Sequence, residues 1–145
     1  IQQNSDTTYR ISDWGRVDAN GKSRELHVEK GLMSIDFMNR TSPRVAGVAD
    51  AANYNRKFSL VSMCRYFKVD DLRLVAVWHD ETTSSGSCHL LSAVSGSVEI
   101  RPGKSSAAAS VILEQGETAL VPFAYGEYEL VPQEAGGAVV VKATL

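Results

Sequence analysis

Short alternating runs of apolar and polar residues fill the chain from residue 58 onward, and turn residues separate many of them. Alternation with a period of two is typical of half-buried strands. The predicted strands cover residues 58–64, 66–69, 72–78, 87–93, 97–101, 108–113, 118–121, 128–131 and 138–144. Turns are predicted at Asp70-Asp71, Ser84-Ser85-Gly86, Ser95-Gly96, Pro102-Gly103, Gln115-Gly116 and Gly136-Gly137. Many short strands at this spacing predict an antiparallel β-sandwich or barrel.

One helical pattern precedes the strands, near residues 23–36. Its apolar positions recur at helical spacing, at Val28, Leu32 and Ile35. Ser23 is the predicted N-cap, and the Asn20-Gly21 pair before it predicts a turn. Gly31 opposes this helix by about 1 kcal/mol relative to alanine. The predicted fold class is therefore all-β with one helical insert.

The region between the helix and the first predicted strand has no sustained period. Residues 39–55 contain Pro43, Gly47 and several alanines and asparagines, which indicates a linker or a wrapping arm. A short helix over residues 48–54 is the alternative. The predicted organisation is thus residues 1–17, then a helix and linker over 18–57, then a β-barrel over 58–145.

Composition restricts the function classes. The chain has 145 residues, 43% apolar and 22% charged, with a formal net charge of −2. This balance does not favour a nucleic-acid or anionic membrane partner, and no apolar run approaches the ~20 residues of a spanning helix. Cys64 and Cys88 form at most one disulfide, so a reducing, cytoplasmic setting is expected. Because the chain opens on Ile1 rather than Met, it is predicted to be a piece of a longer product.

Two stretches resemble the half-motifs of the cupin superfamily, which are small jelly-roll barrels. The first is the strand–glycine–strand sequence over 91–100, and the second runs from Gly116 through Pro122 to Gly126. In metal-binding cupins these motifs supply three histidines and a glutamate. Here the corresponding positions hold residues 82–85, His89 and Glu127, of which only His89 and Glu127 are metal-ligand types. The resemblance therefore predicts a degenerate, cupin-like barrel that binds no metal.

A second resemblance is more specific and covers nearly the whole chain. The opening stretch reads IQQNSDTTYRISDWGR, and further similar pieces are Arg24-Glu25-Leu26-His27, Cys64-Arg65-Tyr66-Phe67 and GETALVP over 116–122. These residues resemble the carboxy-terminal portion of type I mannose-6-phosphate isomerases. The resemblance implies that residues 1–17 hold the final strand or strands of a catalytic cupin barrel and that residues 58–145 form a smaller second barrel.

That resemblance also implies a reaction. The family interconverts mannose 6-phosphate and fructose 6-phosphate with zinc, moving a proton between C1 and C2 through a cis-enediol. Asp6 and Arg10 match its functional residues: Arg10 suits the enediolate oxygens or the substrate phosphate, and Asp6 would orient Arg10. A purely structural Asp6–Arg10 ion pair is the alternative. The family's metal ligands lie upstream of Ile1, so the fragment alone is expected to bind no zinc, to need the amino-terminal catalytic half and to be inactive.

Two other functions fit the residues. One is a self-standing, non-catalytic β-sandwich module that binds a sugar or sugar phosphate. Its pocket would be lined by aromatic side chains that fit a core equally well: Trp78, Phe123, Tyr125 and Tyr128. The other is a structural domain over residues 58–145 that supports the catalytic half or a dimer partner.

Overall fold

The chain divides into two units, Ile1–Pro43 and Arg44–Leu145. The computed structural model describes residues 7–39, 44–50, 52–61, 64–104 and 108–145. No helix within these ranges has the length and apolar character needed to cross a membrane. Cys64 and Cys88 are both free thiols.

The helix of the first unit is shorter than the sequence pattern predicts. Helix α1 spans Val28–Met33, and His27 rather than Ser23 precedes its first turn. Ser23 instead forms an isolated antiparallel bridge with Val17, and the predicted Asn20-Gly21 turn lies between them. The prediction fails at the amino end because this bridge holds the chain extended where the helix was expected to begin.

The closest packing of α1 is made by Gly31 and not by the apolar face that the sequence predicts. Val28, Leu32 and Ile35 are 42%, 46% and 43% exposed, so the predicted face is not buried. Gly31 is the buried residue of the helix, and a Cβ atom there would lie 2.7 Å from Cγ1 of Ile11. The low helix propensity of Gly31 is therefore offset by a backbone approach that a side chain would obstruct.

The second unit is built from strands, as predicted. In the described residues they are β1 Val48–Ala49, β2 Arg56–Val61, β3 Lys68–Leu74, β4 Trp78–Glu81, β5 His89–Ser95, β6 Val98–Pro102, β7 Val111–Leu113, β8 Thr118–Val121, β9 Glu127–Pro132 and β10 Ala138–Thr144. A short helix, α2 (Thr82–Ser85), and a 3-10 turn, Phe123–Tyr125, interrupt them. Val48 and Ala49 pair with β2, so the alternative helix over 48–54 does not form there.

The strands form two antiparallel sheets. One has the order β1-β2-β3-β10-β5-β8 and the other β4-β9-β6-β7. From β3 to β10 the chain crosses between the sheets at every connection except β6–β7, which gives the double-sheet arrangement of a jelly roll. The inward-facing residues of both sheets make one apolar core, with Leu72, Leu91, Leu130, Val98, Val140 and Tyr128 among its most buried side chains.

The predicted turn at Asp70-Asp71 is wrong, because both residues lie inside β3. Lys57 Nζ is 2.9 Å from an Asp70 carboxylate oxygen, and the Ser59 hydroxyl donates to the other at 2.7 Å. Both partners are on the neighbouring strand β2. Acidic residues disfavour strands in isolation, but these cross-strand partners compensate for that preference.

Asn55 fixes the connection between β3 and β4. It is fully buried; its side-chain oxygen accepts from the amides of Val75 and Ala76 at 2.8 and 3.0 Å. Its amide nitrogen donates to the carbonyls of Ala76 and Val77 at 3.2 Å. The Asn55 side chain therefore satisfies backbone groups of residues 75–77, which have no strand partner there, and it fixes the position at which β4 begins.

A glycine pair before β10 provides a test of this packing. Gly137 has φ +79°, and a Cβ atom there would lie 2.2 Å from the Leu74 carbonyl oxygen, whereas Gly136 has open space around that position. We expect Gly137→Ala to lower the free energy of unfolding by about 2–4 kcal/mol, from backbone strain and the clash together. Urea denaturation measures this, with Gly136→Ala as the matched control within about 0.5 kcal/mol of wild type. Equal effects at both positions would contradict the packing described.

Candidate functional site

Arg10 is held in place by contacts from three other residues of the first unit. Its backbone carbonyl accepts from the His27 amide at 2.7 Å, which joins the segment before the first turn to the start of α1. Its guanidinium donates to the Glu25 carbonyl at 3.2 Å, and Nε lies 3.8 Å from Oδ1 of Asp13. The Arg10 side chain is 24% exposed. A positioned but accessible guanidinium of this kind suits a bound anion.

Asp13 organises the charges around Arg10. Arg24 donates two hydrogen bonds to the Asp13 carboxylate, from Nε at 2.8 Å and from Nη2 at 2.5 Å. That hydrogen bonding, with the charges of Arg24, Arg10 and Arg16, lowers the pKa of Asp13 despite its burial. Three guanidinium groups therefore act on the Asp13 carboxylate.

The family resemblance in the sequence points to Arg10 but not to Asp13. It assigned Asp6 to orient Arg10, and Asp6 lies outside the described residues, so that role stays a prediction. Asp13 lies three residues beyond Arg10 in a polar stretch, a spacing that carries no signal on its own. Its partner Arg24 is eleven residues away and meets it only because the chain turns back at Asn20-Gly21.

The second unit contains a buried polar network around His89. His89 is fully buried; its Nδ1 lies 2.6 Å from the Tyr128 hydroxyl and its Nε2 lies 2.8 Å from the Ser85 hydroxyl. Burial lowers the pKa of His89, and the charge of Lys142 lowers it further. Burial also raises the pKa of the Tyr128 phenol, and the neighbouring Asp80 charge adds to that rise. Both groups are thus held neutral near pH 7.

Asp80 and Lys142 form an ion pair beside that network. Nζ of Lys142 lies 2.5 Å from Oδ2 of Asp80, and the two side chains are only 9% and 12% exposed. Trp78 and the Glu81 amide also donate to Asp80, at 3.2 and 2.9 Å. Burial acts to raise the pKa of Asp80, but the Lys142 charge and these hydrogen bonds outweigh it and hold the pKa low.

The structure does not join His89 to Glu127 in a metal site. Glu127 is exposed, and its neighbour Tyr128 points inward to His89, so the alternating faces of β9 direct Glu127 outward. Both ring nitrogens of His89 already have hydrogen-bond partners. Within the ranges that the structure describes, no three His, Cys, Asp or Glu side chains are grouped to hold a metal ion.

The four aromatic residues considered for a sugar pocket do not form one. Tyr128 belongs to the core, Trp78 and Tyr125 pack against it, and Phe123 is exposed. A nearby open groove of about 510 Å³ is lined by one of the four, Tyr128, together with His79, Asp80, Glu81, Gly103, Lys104, Glu127 and Glu129. Its excess of carboxylates opposes binding of an anionic sugar phosphate.

Acidification tests the burial of His89. Because its pKa is lowered by folding, the unfolded chain takes up a proton near pH 6.5 that the folded chain does not. Stability should therefore fall as pH drops from 7.5 to 5.5, with up to about 1.4 kcal/mol from this group. Urea unfolding at the two pH values measures it. His89→Gln should flatten the dependence, whereas His79→Gln, at a 73% exposed side chain, should retain it; equal slopes in all three proteins would contradict the assignment.

Comparison with known proteins places this geometry in context. No family model matches the chain. Over 56 residues it is 45% identical to the putative mannose-6-phosphate isomerase YvyI of Bacillus subtilis, covering 39% of this chain and 16% of that protein. Over 35 residues it is 60% identical to mannose-6-phosphate isomerase ManA of the same organism, covering 24% of this chain and 11% of the relative. The matched regions thus span under a fifth of these relatives.

Solved structures show the same fold over more of the chain. The mannose 6-phosphate isomerase from Bacillus subtilis superposes with a TM-score of 0.70 at 20% identity, over 99% of this chain and 41% of that one. Hydroxypropylphosphonic acid epoxidase from S. wedmorenis superposes with a TM-score of 0.55 at 11% identity, over 72% and 57% of the two chains. The predicted all-β, cupin-like fold is confirmed. The curated sequence relatives described above are mannose-6-phosphate isomerases, in agreement with the resemblance seen in the sequence.

Proposed function

We propose that this chain is the carboxy-terminal part of a cytoplasmic, zinc-dependent mannose-6-phosphate isomerase, and that Arg10 serves its active site. The observation that carries the proposal is the positioning of Arg10 by Asp13, Glu25 and His27 within an arginine-rich segment. The names of the sequence relatives supply the substrate class, a six-carbon sugar phosphate.

Arg10 has a direct role in the proposed isomerisation. Moving a proton between C1 and C2 passes through an enediolate, whose negative charge develops on the sugar oxygens. A permanently cationic guanidinium with a fixed orientation stabilises such a charge, or binds the substrate phosphate by paired hydrogen bonds. Asp13 is a positioning residue here, because it restrains Arg10 and Arg24 without needing to touch the substrate.

Zinc in the proposed enzyme would come from outside this chain. The described residues do not fit a zinc site, since His89 is saturated by Ser85 and Tyr128 and Glu127 points away from it. We therefore assign this chain no metal chemistry. The fragment alone is expected to bind no zinc and to be inactive, and its partner is the amino-terminal catalytic half.

A hybrid enzyme tests the proposal. This chain overlays 41% of the Bacillus subtilis isomerase, so it can replace that portion of the solved protein. We expect the hybrid to interconvert mannose 6-phosphate and fructose 6-phosphate in a coupled assay, and the isolated chain to show no turnover. A correctly folded, zinc-loaded hybrid without activity would contradict the proposal. The acidic groove opposes the sugar-phosphate form of the self-standing module, and binding of an uncharged sugar stays a prediction.

A further inference from the structure

Ser85 and His89 meet at the surface of the second unit. Ser85 is the last residue of α2, and Gly86 follows in the left-handed conformation with φ +71°. This turn sends the chain back so that the exposed Ser85 hydroxyl lies 2.8 Å from Nε2 of the fully buried His89 at the start of β5. The Ser85 hydroxyl is therefore accessible to solvent, whereas the His89 imidazole that it contacts is buried.

A third residue orients the imidazole. Nδ1 of His89 lies 2.6 Å from the Tyr128 hydroxyl, and the two rings pack edge to face with centroids 5.7 Å apart. Tyr128 is itself in the core and interacts with Asp80. A nucleophile within hydrogen-bond reach of a base, with the base fixed by another group, is the arrangement that activates serine hydroxyls in acyl-transfer enzymes.

The hydrogen-bond network allows the tautomer that this chemistry needs. With Nδ1–H donating to Tyr128, the phenol proton is directed to the Asp80 carboxylate and Nε2 is left to accept the Ser85 proton. The Ser85 hydroxyl also lies 2.9 Å from the Thr82 carbonyl, so its proton must turn from that carbonyl to Nε2 in the step. Burial and the Lys142 charge keep the imidazole neutral, as a base must be. The Ser87 amide donates to the Ser85 oxygen at 3.4 Å.

We propose that Ser85 and His89 form a nucleophile–base pair that accepts acyl groups from activated carboxylic esters. In the step, Ser85 Oγ bonds to the acyl carbon while the bond from that carbon to the leaving aryloxide breaks. The Ser85 proton moves to Nε2 of His89 and then to the aryloxide, which departs as a phenol. No oxidant, reductant or metal is required. The pair lies within the second unit, and the inference does not depend on the proposed isomerase activity.

Treatment of the intact chain with p-nitrophenyl acetate tests this inference. Released p-nitrophenol gives the rate, and peptide mass spectrometry gives the acetylated residue. Ser84 is a control within the same molecule: it is also exposed and its hydroxyl donates to the Glu81 carbonyl, as that of Ser85 does to the Thr82 carbonyl, but only Ser85 has a histidine contact of 2.8 Å. We expect Ser85 to be acetylated at least 10-fold faster than Ser84, since a positioned general base contributes about 10²–10⁴-fold.

Variants identify the source of the reactivity. Ser85→Ala should abolish the rapid release of p-nitrophenol that accompanies acetylation of Ser85, and Ser84→Ala should leave that release unchanged. Tyr128→Phe keeps the ring but removes the hydroxyl that orients His89, so the Ser85 rate should fall by about 10-fold while circular dichroism stays that of the folded protein. Acetylation of Ser85 no faster than Ser84 in the wild-type protein would overturn the proposal, and that comparison requires no variant to fold.

Discussion

Replacing Arg10 with alanine in the hybrid isomerase should lower turnover by about 10³-fold while leaving its zinc content unchanged. The expected size follows from removing a positioned donor where charge develops in the transition state, which costs about 10²–10³-fold for a single hydrogen-bond donor. A permanent cation adds to that value. Steady-state kinetics with mannose 6-phosphate gives kcat and KM, and elemental analysis gives the zinc content.

The matched control for Arg10→Ala is Arg16→Ala. Arg16 lies in the same segment, but its guanidinium is exposed and sits 5.9 Å above the Trp14 ring. We expect this variant to retain near wild-type turnover. Arg10→Lys should recover only part of the loss, because a lysine lacks the planar fork of donors. Turnover near wild type in Arg10→Ala, with a folded and zinc-loaded hybrid, would remove Arg10 from the mechanism.

The Asp13→Asn variant distinguishes the two roles considered for Arg10, which are binding the substrate phosphate and stabilising the enediolate. Asp13→Asn keeps a hydrogen-bond acceptor for Arg24 but removes the charge that lies 3.8 Å from Arg10. If Arg10 binds the substrate phosphate, the change should appear chiefly in KM. If Arg10 stabilises the enediolate, it should appear chiefly in kcat.

Lys142→Met should destabilise the second unit by about 3–5 kcal/mol. The variant leaves the Asp80 carboxylate buried without its cation, and removing one partner of a buried ion pair has a cost of this size. The neutral donors that remain around Asp80, which are Trp78, the Glu81 amide and the Tyr128 hydroxyl, do not replace a full charge. Urea denaturation at pH 7 measures the free energy of unfolding.

Two further variants separate pairing from packing. Asp80→Asn combined with Lys142→Met should recover most of the loss, because the neutral amide no longer needs a cation. Lys57→Met is the matched control: Lys57 pairs with Asp70 at 2.9 Å but is 37% exposed, so the cost should stay below about 1 kcal/mol. If Lys142→Met is no more destabilising than Lys57→Met, the buried pair is not a major contributor to stability.

Acidification should distinguish the same variants. In the wild-type protein the pKa of Asp80 is held low. The ionised carboxylate therefore contributes to the free energy of unfolding at pH values above its pKa in the unfolded chain, and this contribution is lost as pH falls. In Lys142→Met the carboxylate stays buried without its cation, so burial should raise the pKa of Asp80. The destabilisation of the variant should then shrink as pH falls and the carboxyl is protonated, opposite in sign to the wild-type trend.

Most strands could be predicted from the sequence, because alternation is a local property of the chain. Residues 118–121 and 138–144 form strands with the predicted bounds, and most other predicted strands differ by a few residues at their ends. Asp70-Asp71 was misassigned because the stabilising partners, Lys57 and Ser59, belong to another strand. The predicted helix is too long for a different reason: the Val17–Ser23 bridge closes a local turn that competes with the helical pattern and keeps Ser23 extended.

Sequence by itself determined the all-β fold and the glycine turns, because strand alternation and turn chemistry depend on consecutive residues. The role of Arg10 comes from a resemblance to a family and stays a prediction. Tertiary structure decided which polar groups meet. Lys142 reaches Asp80 across 62 residues, and Tyr128 reaches His89 across 39. The register of strands in two packed sheets produces these contacts, and a buried polar side chain must find its partner wherever the sheets place it.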